Sequence, residues 1–221
     1  MPLAVRLRSA VCLLGRYPAL AGADLDVDER EVVLLTGANG AGKTTLLRAI
    51  AGLVPLHSGI GEVLGHDLTR DRRGPRRELA LVGHETFCYD DLTVGENLAF
   101  AARASGCPPA HVEEAIARTG LSRQRDVTHG RLSAGQRRRL ALALALARDP
   151  RLLLLDEPHA GLDASGRAIV DSVITAAPAE GRTVILASHE LDRARALADR
   201  EVVLEAGRVR NTVTEPELAP A

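Results

Sequence analysis

The sequence predicts an α/β fold with a mostly parallel sheet, antiparallel strands near the N-terminus and an inserted helical subdomain. Three observations carry this prediction. Continuous apolar runs at Val32-Val33-Leu34-Leu35 and Leu152-Leu153-Leu154-Leu155 have the character of strands buried on both faces. Strand-like and helix-like segments alternate in the first and last thirds of the chain. Between about residues 91 and 147 the strand signals stop and helical ones replace them.

Taken in order, residues 3–8 and 24–27 alternate apolar and polar side chains as half-buried strands do. Residues 31–36 form the first buried strand, and a glycine-rich loop follows directly. Residues 44–51 read as a helix with Gly52 as its stop. Short strands are expected at 62–64 and 79–82, then helices at 94–104 and 110–119. Residues 140–147 alternate Leu and Ala, but both types are apolar, so there is no true period of two. Their high helix propensity decides for helix. Strands at 151–155, 183–187, 201–204 and 208–213 then alternate with helices at 165–176 and 191–198. Residues 1–221 read as one domain, with a helical subdomain at about 91–147 and a flexible tail at 214–221.

Composition excludes several classes. A chain of 23.4 kDa buries roughly 70% of its unfolded surface, and 46% apolar with 26% charged residues is ordinary globular composition. A net charge of −1 gives no global field to attract nucleic acid or an anionic membrane. Arg72-Arg73 with Arg76-Arg77, and Arg137-Arg138-Arg139, read as solvated faces. Cys12, Cys88 and Cys107 lack CxxC spacing, which fits a reducing cytosol better than a disulfide framework or a zinc site. No signal-peptide pattern follows Met1. The apolar run at 140–147 has eight residues, far below the roughly 20 needed to span a bilayer. Membrane work would need spanning helices from another chain.

Of the 28 basic residues 27 are arginine, and the single lysine is Lys43. It lies in Gly37-Ala38-Asn39-Gly40-Ala41-Gly42-Lys43-Thr44-Thr45, between a buried strand and a helix, which is the context of a phosphate-binding P-loop. Glycines let the backbone turn tightly, so that amides at a helix N-terminus point at phosphate oxygens. Lys43 would bridge the β- and γ-phosphates, and the Thr44 hydroxyl would hold Mg²⁺. The second buried strand ends in Asp156-Glu157. Asp156 is placed to order Mg²⁺, and Glu157 to accept a proton from an attacking water. Leu132-Ser133-Ala134-Gly135-Gln136 opens a third helix with a hydroxyl and bare amides, a phosphate-binding surface without a lysine.

The order of these three motifs resembles that of the ATP-binding cassette ATPases, over roughly residues 3–213. The resemblance implies ATP and Mg²⁺ as ligands and an LSGGQ-like signature, Leu132 to Gln136, that closes on ATP held by the P-loop of a second subunit. It implies that Asp163, in Pro158-His159-Ala160-Gly161-Leu162-Asp163, faces that second subunit. In Ser188-His189-Glu190 it makes His189 the switch histidine, bonding the γ-phosphate and holding the attacking water with Glu157. His57, His66, His111, His129 and His159 read as ordinary surface or core residues.

Two positions depart from the family pattern. Where most members have a glutamine that contacts Mg²⁺ and water and senses the membrane subunit, this chain has Gly83-His84-Glu85. His84 is the assigned substitute, with Glu85 the competing choice. For the adenine-stacking aromatic Tyr17 is the candidate, balanced against a packing role. The modest length and the Gly83-His84 replacement resemble the ATP-binding subunits of bacterial haem exporters of cytochrome c biogenesis. Other small-molecule exporters, and soluble cassette ATPases of Fe–S assembly or DNA repair, stay open as alternatives. The implied partners are integral membrane transporter subunits and an identical second cassette, at the cytoplasmic face of the cell membrane, with no nucleic acid.

Overall fold

The first two strands form a long hairpin. β1 (Leu3–Leu14) and β2 (Tyr17–Asp28) pair antiparallel across most of their length, well beyond the 3–8 and 24–27 that alternation predicts. A bulge explains the shortfall. Ser9 has φ 46°, its N–H donates to Asp24 Oδ1 at 2.8 Å, and the register shifts between Leu7 and Ala10. Val5 and Leu7 are buried before the bulge, and Ala10 and Cys12 after it. The extra residue moves the buried face from odd to even positions and erases the period of two. The structure is a computed structural model describing residues 2–83 and 88–210.

β3 (Val32–Thr36) leads through the glycine loop into α1 (Lys43–Ile50). β4 (Ser58–Val63) and the short β5 (His66–Asp67) complete a four-stranded antiparallel sheet of order β2-β1-β4-β5. β5 was not expected, because two residues carry no periodicity. β6 (Leu79–Val82) precedes the helical insertion, α2 (Val94–Ser105), α3 (Pro109–Arg118) and α4 (Ala134–Leu146). The Leu/Ala segment is helical, as its propensity requires. The chain returns through β7 (Leu152–Asp156), α5 (Ala164–Ala176), β8 (Thr183–Ala187), α6 (Leu191–Arg195), β9 (Arg200–Glu205) and β10 (Arg208–Arg210). Helix α6 stops three residues short of the expected 198. Residues 211–213 of the expected last strand, and the tail at 214–221, lie outside the described residues.

The main sheet has the order β10-β9-β3-β8-β7-β6, parallel from β9 to β6 with β10 antiparallel at its edge. Its central strands are buried on both faces. Val32, Leu34, Leu153, Leu155, Val184 and Leu186 pack into one apolar cluster with helices α2 to α5. Val33, Leu35, Leu152, Leu154, Ile185 and Ala187 pack into another with α1 and the antiparallel sheet. At about 1.5–3 kcal/mol for each fully buried aliphatic side chain, these two layers hold the sheet between its covers. The carboxyl ends of β3, β7 and β8 therefore emerge side by side on one edge, where ligands of parallel sheets bind.

Candidate functional site

At that edge the loop after β3 is shaped by its glycines. Gly37 has φ 138°, and a Cβ there would lie 2.2 Å from the Leu204 carbonyl oxygen. Gly42 has φ 109° and caps α1, and a Cβ on it would stand 2.6 Å from the Ala19 carbonyl oxygen. Only glycine satisfies both the backbone angle and the close approach of β9 and β2. Ala38 and Ala41 close the turn through Ala41 N–H to Ala38 O at 3.0 Å. No side chain caps α1, so its first amides carry the helix's partial positive charge into an open cleft. Lys43 is 8% exposed and folds back over the loop, with Nζ donating to Gly37 O at 2.7 Å and Ala38 O at 3.2 Å.

The acids meet the loop from the other side. Asp156, the last residue of β7, is buried, and its Oδ2 accepts a hydrogen bond from Thr44 Oγ1 at 2.8 Å. Glu157 follows with φ 52°, a left-handed conformation rare for a residue with a Cβ. Its N–H donates to Ala187 O at 2.8 Å, its Oε2 accepts from the His189 N–H at 3.1 Å, and its Oε1 lies 3.3 Å from His189 Nε2. A cleft of about 300 Å³ is walled by Asn39, Gly40, Gly42, Lys43, Thr44 and Thr45 on one side and Asp156, Glu157 and His189 on the other.

Other sequence-selected residues lie elsewhere. Ser133 caps α4 in a reciprocal box, accepting from Gln136 N–H at 3.2 Å while its own N–H donates to Gln136 Oε1 at 2.8 Å. Leu132 is buried beneath it, Ala134 and Gly135 form the first turn, and none of residues 132–136 lines the cleft of its own chain. Asp163 caps α5, and the hydrogen bond from Gly166 N–H, with that of Ser165 Oγ, holds its carboxyl below the usual carboxylate range. It too lies outside the cleft. Tyr17 is 81% exposed, so it has no packing role within the chain. The cleft wall beside it is made by Leu14, its cross-strand partner, and by Ala19. His84 and Glu85 lie outside the described residues. His159 is buried, with Nε2 2.9 Å from Asp171 Oδ1, and stays clear of the cleft.

The arginine runs require correction in part: Arg72, Arg73 and Arg77 are exposed as expected. Arg137 is exposed, but Arg138 turns inward to bond the carbonyls of Gly83, Asp156 and Glu157. Arg139 bonds those of Thr119 and Gly120, and Arg76 that of Gly52. Carbonyls at strand and helix ends lack ladder partners, and a guanidinium supplies five donors and no acceptor. The available signal was positional: Arg138 shares a helix face with buried Ala141 and Leu142.

Comparison with known proteins agrees with this geometry. A family model described as ABC transporter matches residues 20–160. The chain is 40% identical over 185 residues to the cytochrome c biogenesis ATP-binding export protein CcmA of Bordetella bronchiseptica, covering 83% of each chain. It is 37% identical over 218 residues to the methionine import ATP-binding protein MetN of Caulobacter vibrioides, covering 94% of this chain and 66% of that one. A match of 38% identity to ATP-binding cassette sub-family A member 7 of Mus musculus covers 86% of this chain but spans only 9% of that protein. A solved structure described as the ATP binding subunit of an ABC transporter has a TM-score of 0.86 at 27% identity, covering 94% of this chain and 88% of that one. The chain belongs to the ABC transporter family and represents its ATP-binding part.

Proposed function

We propose that this chain hydrolyses ATP to drive a membrane exporter, and that two copies act head to tail around two ATP molecules. The observation that carries the proposal is the meeting of Lys43, Thr44, Asp156, Glu157 and His189 around one cleft at the carboxyl edge of the sheet. In it the α1 amides and Lys43 bind the β- and γ-phosphates, and Tyr17, exposed beside the cleft, stacks on the adenine. Thr44 and Asp156 already place a hydroxyl and a carboxylate oxygen 2.8 Å apart, a donor set suited to a hard cation. These two, with His84, would hold Mg²⁺, which when bound neutralises charge on the phosphates. Glu157 takes the proton of the attacking water, and His189 holds that water in line.

The signature residues Leu132, Ser133, Ala134, Gly135 and Gln136 complete the site of the other copy, and Asp163 lines the contact between copies. Their position outside their own cleft supports the pairing. Sedimentation of the Glu157→Gln protein with saturating ATP and Mg²⁺ tests it: a stable dimer is expected, and a monomer would sink the proposal.

Haem export is the proposed cargo step, supported by the 40% identity to the Bordetella protein and by the His84 substitution. The 37% identity to a methionine import protein favours a second reading, a cassette serving another transporter. No helix among the described residues is long and apolar enough to cross a membrane, so the spanning partners are other segments or subunits, with this chain on their cytoplasmic face. Identification of the co-purifying membrane subunits separates the two readings. A loss of holocytochrome c on deletion of the chain would favour haem.

A further inference from the structure

Arg138 is a half-buried cation near the cleft to which the hydrolytic proposal assigns no part. Its Nη2 donates to the carbonyls of Asp156, at 2.6 Å, and Glu157, and its Nη1 donates to the carbonyl of Gly83. The ladder between β7 and β8 ends at the pair Asp156–Ala187, and that between β6 and β7 ends at Val82–Leu155. All three carbonyls therefore lie where the sheet ceases to supply a partner. Glu157 pays for its φ of 52° with strain of about 1–3 kcal/mol. It is held there at three points, its N–H on Ala187 O, its carboxylate on the His189 N–H, and its carbonyl on Arg138.

We infer that Arg138 is a positioning residue, which keeps Glu157 in its strained conformation and makes that conformation depend on where helix α4 lies. The inference rests on the hydrolytic role of Glu157 proposed above. Ser133 and Gln136, at the start of α4, are the groups that would meet the second copy, and Arg138 stands on the same helix within one and a half turns of Ser133. Displacement of α4 on pairing thus pulls directly on the backbone of both cleft acids and on Gly83, the residue before His84. Lysine cannot replace this function, because a point ammonium does not span three carbonyls as a planar fork does. Burial lowers the guanidinium pKa, while the Asp156 and Glu157 charges oppose that shift. The group is therefore desolvated and balanced by the acids whose backbone it holds.

The test compares purified full-length Arg138→Lys and Arg138→Gln with the parent for kcat, KM, binding of a fluorescent ATP analogue and melting temperature. A kcat at least tenfold lower, with KM and analogue affinity within about twofold and the protein still folded at assay temperature, is expected for either variant that folds. In the Glu157→Gln background the same changes at Arg138 are expected to add no further loss. A kcat within twofold of the parent, a parallel loss of nucleotide affinity, or additive losses in the double variants would overturn the positioning role. Glu157→Gln alone separates the two ideas: if it still turns over normally, the hydrolytic proposal fails first. Circular dichroism of Arg138→Met supplies a further check, since a purely structural clamp would unfold the chain with every substitution, and this too would overturn the inference.

Discussion

Thr44 Oγ1 donates to Asp156 Oδ2 at 2.8 Å, although 112 residues separate them in the chain and β8 lies between β3, which leads to Thr44, and β7. The first turn of α1 reaches across the end of β8 to the last residue of β7. A hydroxyl and a carboxylate from distant segments are so made into one oxygen donor pair.

Asp156→Asn keeps an acceptor for Thr44 but removes the charge. Hydrolysis is expected to fall by about 10² or more, with the Mg²⁺ concentration for half-maximal rate shifted upward, while the melting temperature stays within a few degrees. Titration of the rate with Mg²⁺ checks this, and an unchanged Mg²⁺ dependence would count against Asp156 as a ligand.

Lys43→Ala is expected to abolish hydrolysis. Lys43→Arg is the sharper comparison, because it keeps the charge but brings a planar guanidinium into a turn where Nζ now sits between Gly37 O and Ala38 O. A loss of at least about tenfold in kcat/KM is expected, about 1.4 kcal/mol of transition-state stabilisation. Full activity in that variant would mean that any cation suffices at this position.

Gly37→Ala places a methyl 2.2 Å from Leu204 O at a φ of 138°. Destabilisation of at least about 1–3 kcal/mol is expected from the backbone alone, together with weakened ATP binding as β9 is pushed from the loop. Gly40→Ala, where a Cβ would meet nothing within 4 Å but φ is 80°, is expected to cost less. Denaturant melts of both variants decide the ranking.

Glu201 gives a pH-dependent prediction. The Arg195 hydrogen bond, aided by that of Thr36 Oγ1, holds its carboxyl below the usual carboxylate range against the opposing effect of burial. A depressed folded value contributes stability above the unfolded value of about 4.3, and that contribution fades as pH falls through the folded value. Glu201→Gln is expected to be less stable than the parent by about 0.5–1 kcal/mol at pH 7. The gap is expected to narrow as pH falls below that unfolded value. Urea melts at pH 7 and pH 3 test it, and an equal gap at both would contradict the ion pair as the cause.

Legibility varied with how local each signal was. β3, β7 and β8 stood out because burial on both faces leaves an unbroken apolar run. The outer halves of β1 and β2 did not, because the Ser9 bulge shifts the buried face mid-strand. Gly59 and Gly61 hid the start of β4: Gly59 approaches the Ser9 backbone, and Gly61 leaves room for the Leu56 and Leu68 side chains. The glycine loop, the paired acids and the Ser133 cap could be named in advance, since each is a short stretch with its own chemistry. Arg138 escaped notice because an arginine run has the same composition whether it faces water or carbonyls.

By itself, the sequence determined the class of fold, the glycine loop around its one lysine and the family. These follow from apolar runs and contiguous motifs that need no knowledge of distant residues. Only the tertiary structure decided that Thr44 meets Asp156, that Glu157 is held in a left-handed conformation beside His189, that Tyr17 stays exposed and that Arg138 turns inward. Those outcomes depend on the strand order β9-β3-β8-β7-β6, which brings separate chain ends to one edge. Each carbonyl or hydroxyl left there without a ladder partner takes whichever donor or acceptor the packing places beside it.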